Sequence, residues 1–314
     1  MTTTAAADAL ANRLRKNARH LGRWARREGL EAWRVYDRDM PEFPYAVDRY
    51  GRWLHVQLFE GKRPFSDADI GAHLAAIADA LEVDPAYCAF KLRRRQRGTS
   101  QYEKLDTRGE SFVVAERGLR FEVNLTAYLD TGLFLDHRDT RAQVGAAAAG
   151  ARFLNLFAYT GSFTVYAAAG GASSTLTLDM SQTYQEWTRR NLALNGFDDG
   201  ARHRLLRTDV TAWLESAVRE TARYDVIVLD PPSFSNSKRM RASFDVQRDQ
   251  VPLVSHSAAL LTPGGRLYFS NNRQGFRLDA ALERDWRCEE ITTRTLPEDF
   301  KRRQPHRCWL ITRP

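Results

Sequence analysis

The 314-residue sequence predicts an α/β protein whose C-terminal part is a parallel sheet with helices on both faces. Three observations lead to this expectation. From residue 128 onward short apolar segments alternate with helical stretches, the apolar segments are continuously hydrophobic, and three of them end in an aspartate. Continuous apolar strands that alternate with helices are typical of a doubly wound parallel sheet. Before residue 128 the sequence indicates a basic helix and then a small α+β module.

The basic helix is predicted over residues 1–30. Apolar residues recur there at three- or four-residue spacing, as one face of a helix requires; they are Leu10, Leu14, Ala18, Leu21 and Ala25. The remaining positions carry seven cations, Arg13, Arg15, Lys16, Arg19, Arg23, Arg26 and Arg27. These cations indicate either a solvated face or contact with phosphates.

The α+β module is predicted over residues 31–127. Strands are expected around the prolines of "RVYDRDMPEFPYAVDRYGRWLHVQLFE", and a helix over residues 67–83. A further strand in "AFKLRRRQRG" runs into a basic loop over residues 93–97. The segment "SFVVAERGLRFEVNL" predicts a hairpin with its turn at Arg117–Gly118.

The C-terminal domain is predicted over residues 128–314. Its expected strands are Phe153–Phe157, Thr175–Leu178, Arg204–Leu206, Val226–Leu229 and Leu267–Phe269, with helices near 162–169, 182–195, 211–221 and 244–261. In such sheets ligands bind beyond the carboxyl ends of the strands, near the point where the strand order reverses. The residues that follow each strand are therefore the candidates for a functional site.

Composition favours a polyanionic partner inside a reducing compartment. The chain carries 47 Lys plus Arg against 39 Asp plus Glu, a net charge of +8, and clustered cations gain affinity by releasing phosphate counterions. Three cysteines without metal-ligand spacing suit a reducing cytoplasm and predict no metal site. No apolar run of 18 residues predicts a membrane span, and the start lacks a secretory signal, although its basic composition leaves a mitochondrial presequence open.

Three successive strands end in an acid: Asp179, Asp209 and Asp230. An acid at the second strand end can accept two hydrogen bonds from a ribose diol, and one at the third can accept from an adenine amino group. Helix capping is the alternative for the first two acids, although Ser181 or Thr211 can cap equally well. Capping does not explain Asp230, which two prolines follow. A nucleoside-shaped cofactor explains all three.

The turn Tyr159–Thr160–Gly161–Ser162 follows the first strand. Its glycine allows the backbone to approach a ligand at the start of the next helix. The dinucleotide pattern GxGxxG is absent, so the turn by itself predicts no particular ligand.

With these motifs the chain resembles the class I S-adenosylmethionine-dependent methyltransferases. Within them the resemblance narrows to a free-standing form of the RlmK half, the C-terminal domain of the bacterial fused 23S rRNA methyltransferase RlmKL. The resemblance extends over nearly the whole chain, from "ANRLRKN" and "AVDRY" through "QYEKL" and "NLTAYLDTGLFLDHR" to "FLNLFAYTGSFTVYAAAGG" and "DPPSFSNSKRM". It implies a Rossmann-like methyltransferase domain behind a small α+β RNA-binding module, with S-adenosylmethionine as the cofactor.

The resemblance also implies a reaction and partners. The reaction is 7-methylation of a guanosine in the peptidyl-transferase domain of 23S rRNA, presented free or in a partly assembled large ribosomal subunit. The fused relatives carry a THUMP domain and an N2-guanine methyltransferase half that this sequence lacks. A separate protein that supplies them is therefore a candidate partner.

By resemblance, a set of residues would hold the cofactor. Phe157, Tyr159, Gly161 and Ser162 would line its methionine part, Asp179 its ribose, Met180 its adenine ring, and Asp209 with Val210 the adenine edge. Asp230 is assigned to the same cofactor site. Asp136 or Arg138 in "LFLDHR" would reach the amino-acid end of the cofactor. An ordinary structural ion pair is the alternative for these last two residues.

The acceptor base is inferred from the side chains after the fifth strand. Methylation of cytosine C5 requires a cysteine nucleophile, yet Ser270–Asn271–Asn272 stands there, and Cys288 and Cys308 are interpreted as buried hydrophobes of the last strands. Guanine N7 has an in-plane lone pair and needs no general base. This fits an expected site without an obvious histidine or cysteine.

The segment "DPPSFSNSKRM" predicts a pocket for a base flipped out of its stack. After Asp230, Pro231 and Pro232 would form its rigid floor, Phe234 would stack on the base, and Ser235, Asn236, Asn271 and Asn272 would bond its edges. Cations expected to contact RNA are Arg93, Arg94, Arg95, Arg97, Lys238, Arg239 and Arg241, together with Asn236. Core packing of Phe234 and a solvated basic loop are the alternative interpretations.

Three other functions stay open. Methylation of an exocyclic amine such as guanine N2 uses a similar acid–Pro–Pro–aromatic motif, but the aromatic residue then directly follows the prolines, and Ser233 intervenes here. A non-catalytic RNA-binding or ribosome-assembly factor on the same fold is an alternative of a different class. Methylation of a small molecule is disfavoured by the basic helix and the basic loop.

Overall fold

The computed structural model describes residues 3–59, 64–93, 109, 111–235 and 243–314. The chain forms two compact units. The first contains the residues up to Thr131 together with Glu298–Arg303, and the second contains Gly132–Pro297 and Gln304–Pro314. The earlier division into residues 1–30, 31–127 and 128–314 stays a prediction.

The first unit contains a four-stranded sheet and a separate hairpin. In chain order its elements are α1 (Thr3–Arg27), β1 (Ala32–Asp37), β2 (Tyr45–Tyr50), β3 (Trp53–Phe59), α2 (Asp67–Ala80), β4 (Cys88–Arg93), β5 (Phe112–Glu116) and β6 (Leu119–Val123). The sheet order is β1-β2-β3-β4. Strands β1 to β3 are antiparallel, and β4 pairs in parallel with β3 after the α2 crossover.

The predicted apolar spacing of α1 reflects how this helix packs. Leu10 and Leu14 are fully buried in one cluster with Val47, Val56 and Ile77. Burial of this apolar stripe is what holds an amphipathic helix on a sheet, and its cations consequently lie on the other faces.

Two local predictions in this unit have clear outcomes. The hairpin of β5 and β6 is confirmed, and its turn residues Arg117 and Gly118 both have positive φ, 52° and 83°. Positive φ at both central residues suits the twist of a two-residue hairpin. The helix predicted to reach residue 83 ends at Ala80 instead. The reason is that Glu82 adopts a left-handed φ of 53°, which turns the chain out of the helix.

The second unit is a seven-stranded sheet covered by helices. Its elements are α3 (Arg138–Ala146), β7 (Arg152–Leu156), α4 (Ser162–Ala169), β8 (Ser174–Asp179), α5 (Gln182–Leu194), β9 (His203–Arg207), α6 (Val210–Ala217), β10 (Tyr224–Leu229), β11 (Phe234–Ser235), β12 (Phe244–Asp245), α7 (Val246–Ala259), β13 (Leu261–Asn271), α8 (Ala280–Asp285), β14 (Arg287–Glu290), α9 (Thr292–Thr295) and β15 (Arg307–Thr312). The order is β14-β15-β13-β10-β7-β8-β9.

The five predicted strands are all present and pair in parallel, so the predicted fold class is confirmed. Within this sheet of described residues β15 alone runs in the opposite direction, and it pairs antiparallel with β13 on one side and β14 on the other. The apolar segment β10 is buried on both faces, with Ile227 and Leu229 in one core cluster and Val226 and Val228 in another. This two-sided burial explains why its sequence shows no polar alternation.

Two helix ends differ from the predictions. Helix α7 begins at Val246 because the Asp245 carboxylate accepts hydrogen bonds from the amides of Gln247 and Arg248. Helix α6 ends at Ala217, four residues early. Among the described helices, none is both long and apolar enough to span a bilayer.

The strand order reverses between β7 and β10. From β7 the chain proceeds outward through β8 to β9, whereas β13 lies on the other side of β10. A crevice forms at the carboxyl edge of a sheet at such a point. The loops after β7, β8, β9, β10 and β13 therefore define the candidate site.

Candidate active site

The turn from β7 to α4 has an unusual backbone. Phe157 and Tyr159 have left-handed φ values of 58° and 52°, and Gly161 has 72°. Left-handed backbone is strained for residues with side chains and persists where surrounding contacts impose it. Such contacts are present, because the Thr160 hydroxyl donates to the Gly132 carbonyl at 2.6 Å. The predicted cofactor loop is thus a rigid, strained turn.

Only glycine fits at position 161. A β-carbon there would lie 2.3 Å from Thr188 Cγ2. Gly161 also stands at the N-cap of α4, where no side chain bonds the first amides of the helix. The turn accordingly presents backbone to the crevice, with Ser162 as the first residue of α4 and partly exposed.

Asp179 lies at the end of β8 and is bonded by backbone amides. Its Oδ2 accepts from the Tyr159 amide at 2.9 Å and its Oδ1 from the Ser181 amide at 2.8 Å. Burial raises the pKa of this carboxyl to about 6, against the lowering effect of these amides. Ser181 caps α5 through the amide of Tyr184. Asp179 is therefore not the cap, and its remaining lone pairs suit a ribose diol.

Asp209 does act as a helix cap. Its Oδ1 accepts from both the amide and the hydroxyl of Thr211, at 2.9 and 2.7 Å. Val210 is buried in the core below it, and Met180 after β8 is partly buried. Capping and cofactor binding are compatible at Asp209, since Oδ1 accepts both bonds from Thr211 and Oδ2 accepts neither.

Asp230 lies at the end of β10 with two neighbours around its carboxylate. Ser270 Oγ donates to Oδ1 at 2.7 Å, and His137 Nε2 lies 3.6 Å from Oδ2. Its side chain is 23% exposed, so a ligand can reach it. Pro231, which follows it, is buried.

Phe234 is 48% exposed and begins the short strand β11, which pairs with β12. Core packing of this ring is thereby excluded. Ser233 Oγ donates to Asn272 Oδ1 at 2.6 Å, which ties the loop after β10 to the loop after β13. Asn271 is instead buried, and within the described part of the chain its Nδ2 has no hydrogen-bond partner.

The expectation of a site without a histidine is wrong. His137 and His306 stack with ring centroids 4.1 Å apart, and His306 Nδ1 lies 2.8 Å from Asp136 Oδ2. Asp136 was expected to reach a cofactor or pair with Arg138, whose side chain is fully buried. The motif "LFLDHR" drew attention to this segment, but no sequence signal connected it to His306, 169 positions further on.

The cysteines do not form a nucleophile. Cys288 and Cys308 lie in β14 and β15, the predicted last strands. Burial raises the pKa of Cys308 far above its usual range, and burial with the nearby Glu283 raises the pKa of Cys288 to about 11. Both thiols stay protonated near neutral pH, whereas a nucleophile must be a thiolate.

The predicted RNA-binding cations are mostly outside the described residues. This applies to Arg94, Arg95, Arg97, Lys238, Arg239 and Arg241, and to Asn236. Arg93 is described, and its guanidinium contacts Asp130 at 3.0 Å and Gln57 at 2.6 Å. Its charge is partly neutralised by that acid.

The fold and the site define a methyltransferase, and residues 45–301 match the family described as S-adenosylmethionine-dependent methyltransferase. The chain belongs to this family, and S-adenosylmethionine is its cofactor. Two relatives refine the assignment. The ribosomal RNA large subunit methyltransferase K of Neisseria meningitidis serogroup B is 50% identical over 305 residues, 96% of this chain and 86% of that protein. The K/L protein of Stutzerimonas stutzeri is 53% identical over 306 residues.

The match to the K/L protein covers 96% of this chain and 42% of that protein, so the chain spans less than half of its length. Among solved structures, SMU.776, described as a methyltransferase complexed with SAH, has a TM-score of 0.78 at 23% identity, covering 97% of this chain and 81% of that one. A SAM-dependent methyltransferase from Agrobacterium tumefaciens has a TM-score of 0.60 at 18% identity, covering 85% and 86%. These structures support the fold, and the resemblance found in the sequence is confirmed.

Proposed function

We propose that this protein methylates N7 of a guanine in 23S rRNA, taking the methyl group from S-adenosylmethionine by direct in-line transfer to a flipped base. The observation that carries the proposal is the pairing of a ligand-accessible carboxylate, Asp230, with an exposed ring, Phe234, in one loop. This loop follows β10, at the carboxyl edge that also holds Asp179.

The cofactor residues form a consistent set. Bound S-adenosylmethionine supplies an electrophilic methyl group on a sulfonium. Asp179 would hold the ribose hydroxyls, and the turn from Phe157 to Ser162 would hold the methionine part. The strained backbone of that turn and the tight fit at Gly161 support this role, since strain of this kind clusters at ligand sites.

Guanine N7 suits the chemistry of Asp230. This nitrogen carries no proton, so its methylation needs no general base, and the ring gains a positive charge as the new bond forms. A carboxylate held beside the ring stabilises that charge in the transition state. Phe234 offers a face on which the extruded base stacks, as aromatic side chains do in single-stranded RNA recognition.

Methylation of guanine N2 is the second candidate, because the acid–Pro–Pro–aromatic order is common to both. The intervening Ser233 is bonded to Asn272 and separates Phe234 from the prolines, which favours N7. Cytosine C5 is disfavoured by the protonated, buried thiol of Cys308.

RNA as the substrate is supported by the names of the relatives and by the helix α1. Lys16, Arg19, Arg23 and Arg26 recur at three- and four-residue spacing and are all exposed. They extend over about 15 Å of one helix side, a suitable length for successive phosphates. We call these four residues the α1 stripe. A large-subunit assembly intermediate, and a separate protein with a THUMP domain and an N2-guanine methyltransferase, are the further proposed partners.

Methyl transfer from labelled cofactor to purified 23S rRNA tests the proposal. The digest should contain labelled 7-methylguanosine, which has the same mass as 2-methylguanosine but carries a fixed positive charge and opens in alkali. Asp230→Asn keeps the shape and should slow transfer about a hundredfold or more, because the stabilising charge is lost. Label in 2-methylguanosine would move the assignment to the second candidate, and cofactor binding without transfer to any rRNA would favour a non-catalytic assembly factor.

A further inference from the structure

The catalytic-site candidate Asp230 is surrounded by a cluster that the proposed reaction does not itself require. Its members are Asp136, His137, His306 and Ser270, contributed by the segment before α3, by β13 and by the segment before β15. His137 and His306 are 5% and 2% exposed. Burial of two neighbouring polar imidazole rings costs folding free energy, and this cost indicates that the protein uses them.

The contacts indicate which nitrogen of each ring faces a carboxylate and donates. His306 Nδ1 lies 2.8 Å from the Asp136 carboxylate, so this nitrogen carries the proton and donates. His137 directs Nε2 towards the Asp230 carboxylate, so its proton is on Nε2. The other two nitrogens, His137 Nδ1 and His306 Nε2, have no hydrogen-bond partner among the described residues. Each ring thus serves a single carboxylate.

The stacking geometry does not suit a metal ion between the rings. Their planes differ by 17° and their centroids are 4.1 Å apart. Imidazole lone pairs lie in the ring plane, so two nearly parallel stacked rings do not direct both lone pairs at one ion. The stacked arrangement is better suited to a role in which one ring fixes the orientation of the other.

We infer that His137 is a positioning residue for Asp230: with Ser270 it fixes the two carboxylate oxygens, and the stacked His306, anchored by Asp136, fixes the plane of His137. The inference rests on the proposed function only in taking Asp230 as the group that meets the reacting base. The Oδ1 side is held by a hydrogen bond of 2.7 Å, and the Oδ2 side by a contact of 3.6 Å. A contact of that length tightens when cofactor and base fill the site, as catalytic hydrogen bonds commonly do.

Neutral His137 preserves the charge that Asp230 needs. Burial, together with the neighbouring His306 and Arg141, lowers the pKa of His137 to about 4, while Asp230 and Asp136 act in the opposite direction. The ring therefore presents an N–H to the Asp230 carboxylate without a full positive charge throughout the neutral range. A protonated ring would neutralise the carboxylate.

Substitutions at His137 test the inference by separating kcat from binding. His137→Phe keeps a flat ring but removes the donor, and we expect kcat to fall about a hundredfold, the effect of displacing a reacting group by about 1 Å. Affinity for the cofactor and KM for rRNA should change less than about threefold, since neither ligand is bound by this ring. His137→Gln places an amide donor near the Nε2 position and should restore most of kcat.

The matched control is His203→Gln. His203, in β9, is an equally buried histidine of the same unit and is hydrogen-bonded to Thr175 in β8. Its substitution should leave kcat unchanged. Total methyl transfer is measured whichever atom of rRNA is methylated, so a wrong assignment of N7 does not alter the comparison. Full activity in His137→Phe, or a His137→Gln variant as slow as His137→Phe, would overturn the inference.

Nitrogen NMR of the histidines gives a readout that needs no substrate. The resonances of His137 should show a neutral ring protonated at Nε2 at pH 7, and they should shift in the Asp230→Asn variant. A ring protonated at Nδ1, or resonances that ignore Asp230→Asn, would contradict the inference even if methyl transfer proceeds as proposed.

Discussion

At the scale of single residues, we expect Asp179 to control how cofactor binding depends on pH. Its carboxylate accepts two backbone amides, and burial nevertheless raises its pKa to about 6. A carboxylate accepts hydrogen bonds from both hydroxyls of a ribose, whereas a carboxylic acid accepts less well and must place its own proton. The ionised form should therefore bind the cofactor better.

The expected result is a pH-dependent dissociation constant for S-adenosylmethionine. It should be constant above about pH 7 and rise towards tenfold per pH unit below pH 6, because one proton then has to leave on binding. Isothermal titration calorimetry from pH 5 to 8 measures it. Asp179→Asn should bind more weakly at pH 7 and lose this dependence. An equally steep dependence in Asp179→Asn would assign the titration to another group.

For single residues, backbone conformation and contacts between distant residues limit what can be predicted from the sequence. Asp179, Asp209 and Asp230 stand at or just after the ends of β8, β9 and β10, so the carboxyl edge that they share could be predicted from the sequence. The left-handed φ of Phe157 and Tyr159 could not, because no local pattern distinguishes it.

At the scale of elements, the turn between β7 and α4 depends on a missing side chain. Gly161 combines a positive φ with close contact to Thr188. Gly196, after α5, also has a positive φ of 75°, but nothing lies within 4 Å of its would-be β-carbon. The two glycines share the backbone conformation and differ in the space around it.

Alanine substitution of each glycine separates these two effects. Gly196→Ala should cost about 1 kcal/mol, the strain of a left-handed residue. Gly161→Ala should cost a further 1–3 kcal/mol or so for overpacking against Thr188, and it should also weaken cofactor binding. Urea unfolding gives both free energies. Equal losses in the two variants would show that the contact with Thr188 relaxes easily.

The second element with a testable role is α1. The apolar residues of this helix are buried, whereas the four cations of the α1 stripe are exposed. Arg15 lies on the same helix but contacts Asp79 at 2.9 Å, so its charge is already compensated. It is the natural control for a charge change on this helix.

Replacement of Lys16, Arg19 and Arg23 by glutamine should weaken RNA binding and reduce its salt dependence. Each lost phosphate contact lowers the slope of log K against log salt by about 0.7 for single-stranded RNA. Fluorescence anisotropy at several salt concentrations measures this slope. Arg15→Gln should leave it nearly unchanged, and cofactor affinity should be unaffected in both. An unaltered slope in the triple variant would make α1 a solvated face.

At the scale of the whole molecule, the strand order accounts for what the sequence could and could not reveal. Alternating β and α segments predicted the five parallel strands, because each segment carries its own hydrophobic pattern. The antiparallel β15 between β13 and β14 was not predicted. The position of β15 depends on pairing between segments that are distant in the sequence. His306 directly precedes this strand. The histidine cluster therefore became visible only in three dimensions.

The two units each have their own apolar core. The second unit contains the described residues of the proposed cofactor and base site, and the first contains α1 and Arg93. For the reaction itself, we propose transfer of a methyl group to guanine N7 of 23S rRNA.

The most direct test is nucleoside mass mapping of 23S rRNA from cells with and without the gene. We expect the loss of one 7-methylguanosine, restored by the wild-type protein and not by Asp230→Asn. Unchanged 7-methylguanosine, with loss of a 2-methylguanosine or a 5-methylcytidine instead, would contradict the assignment.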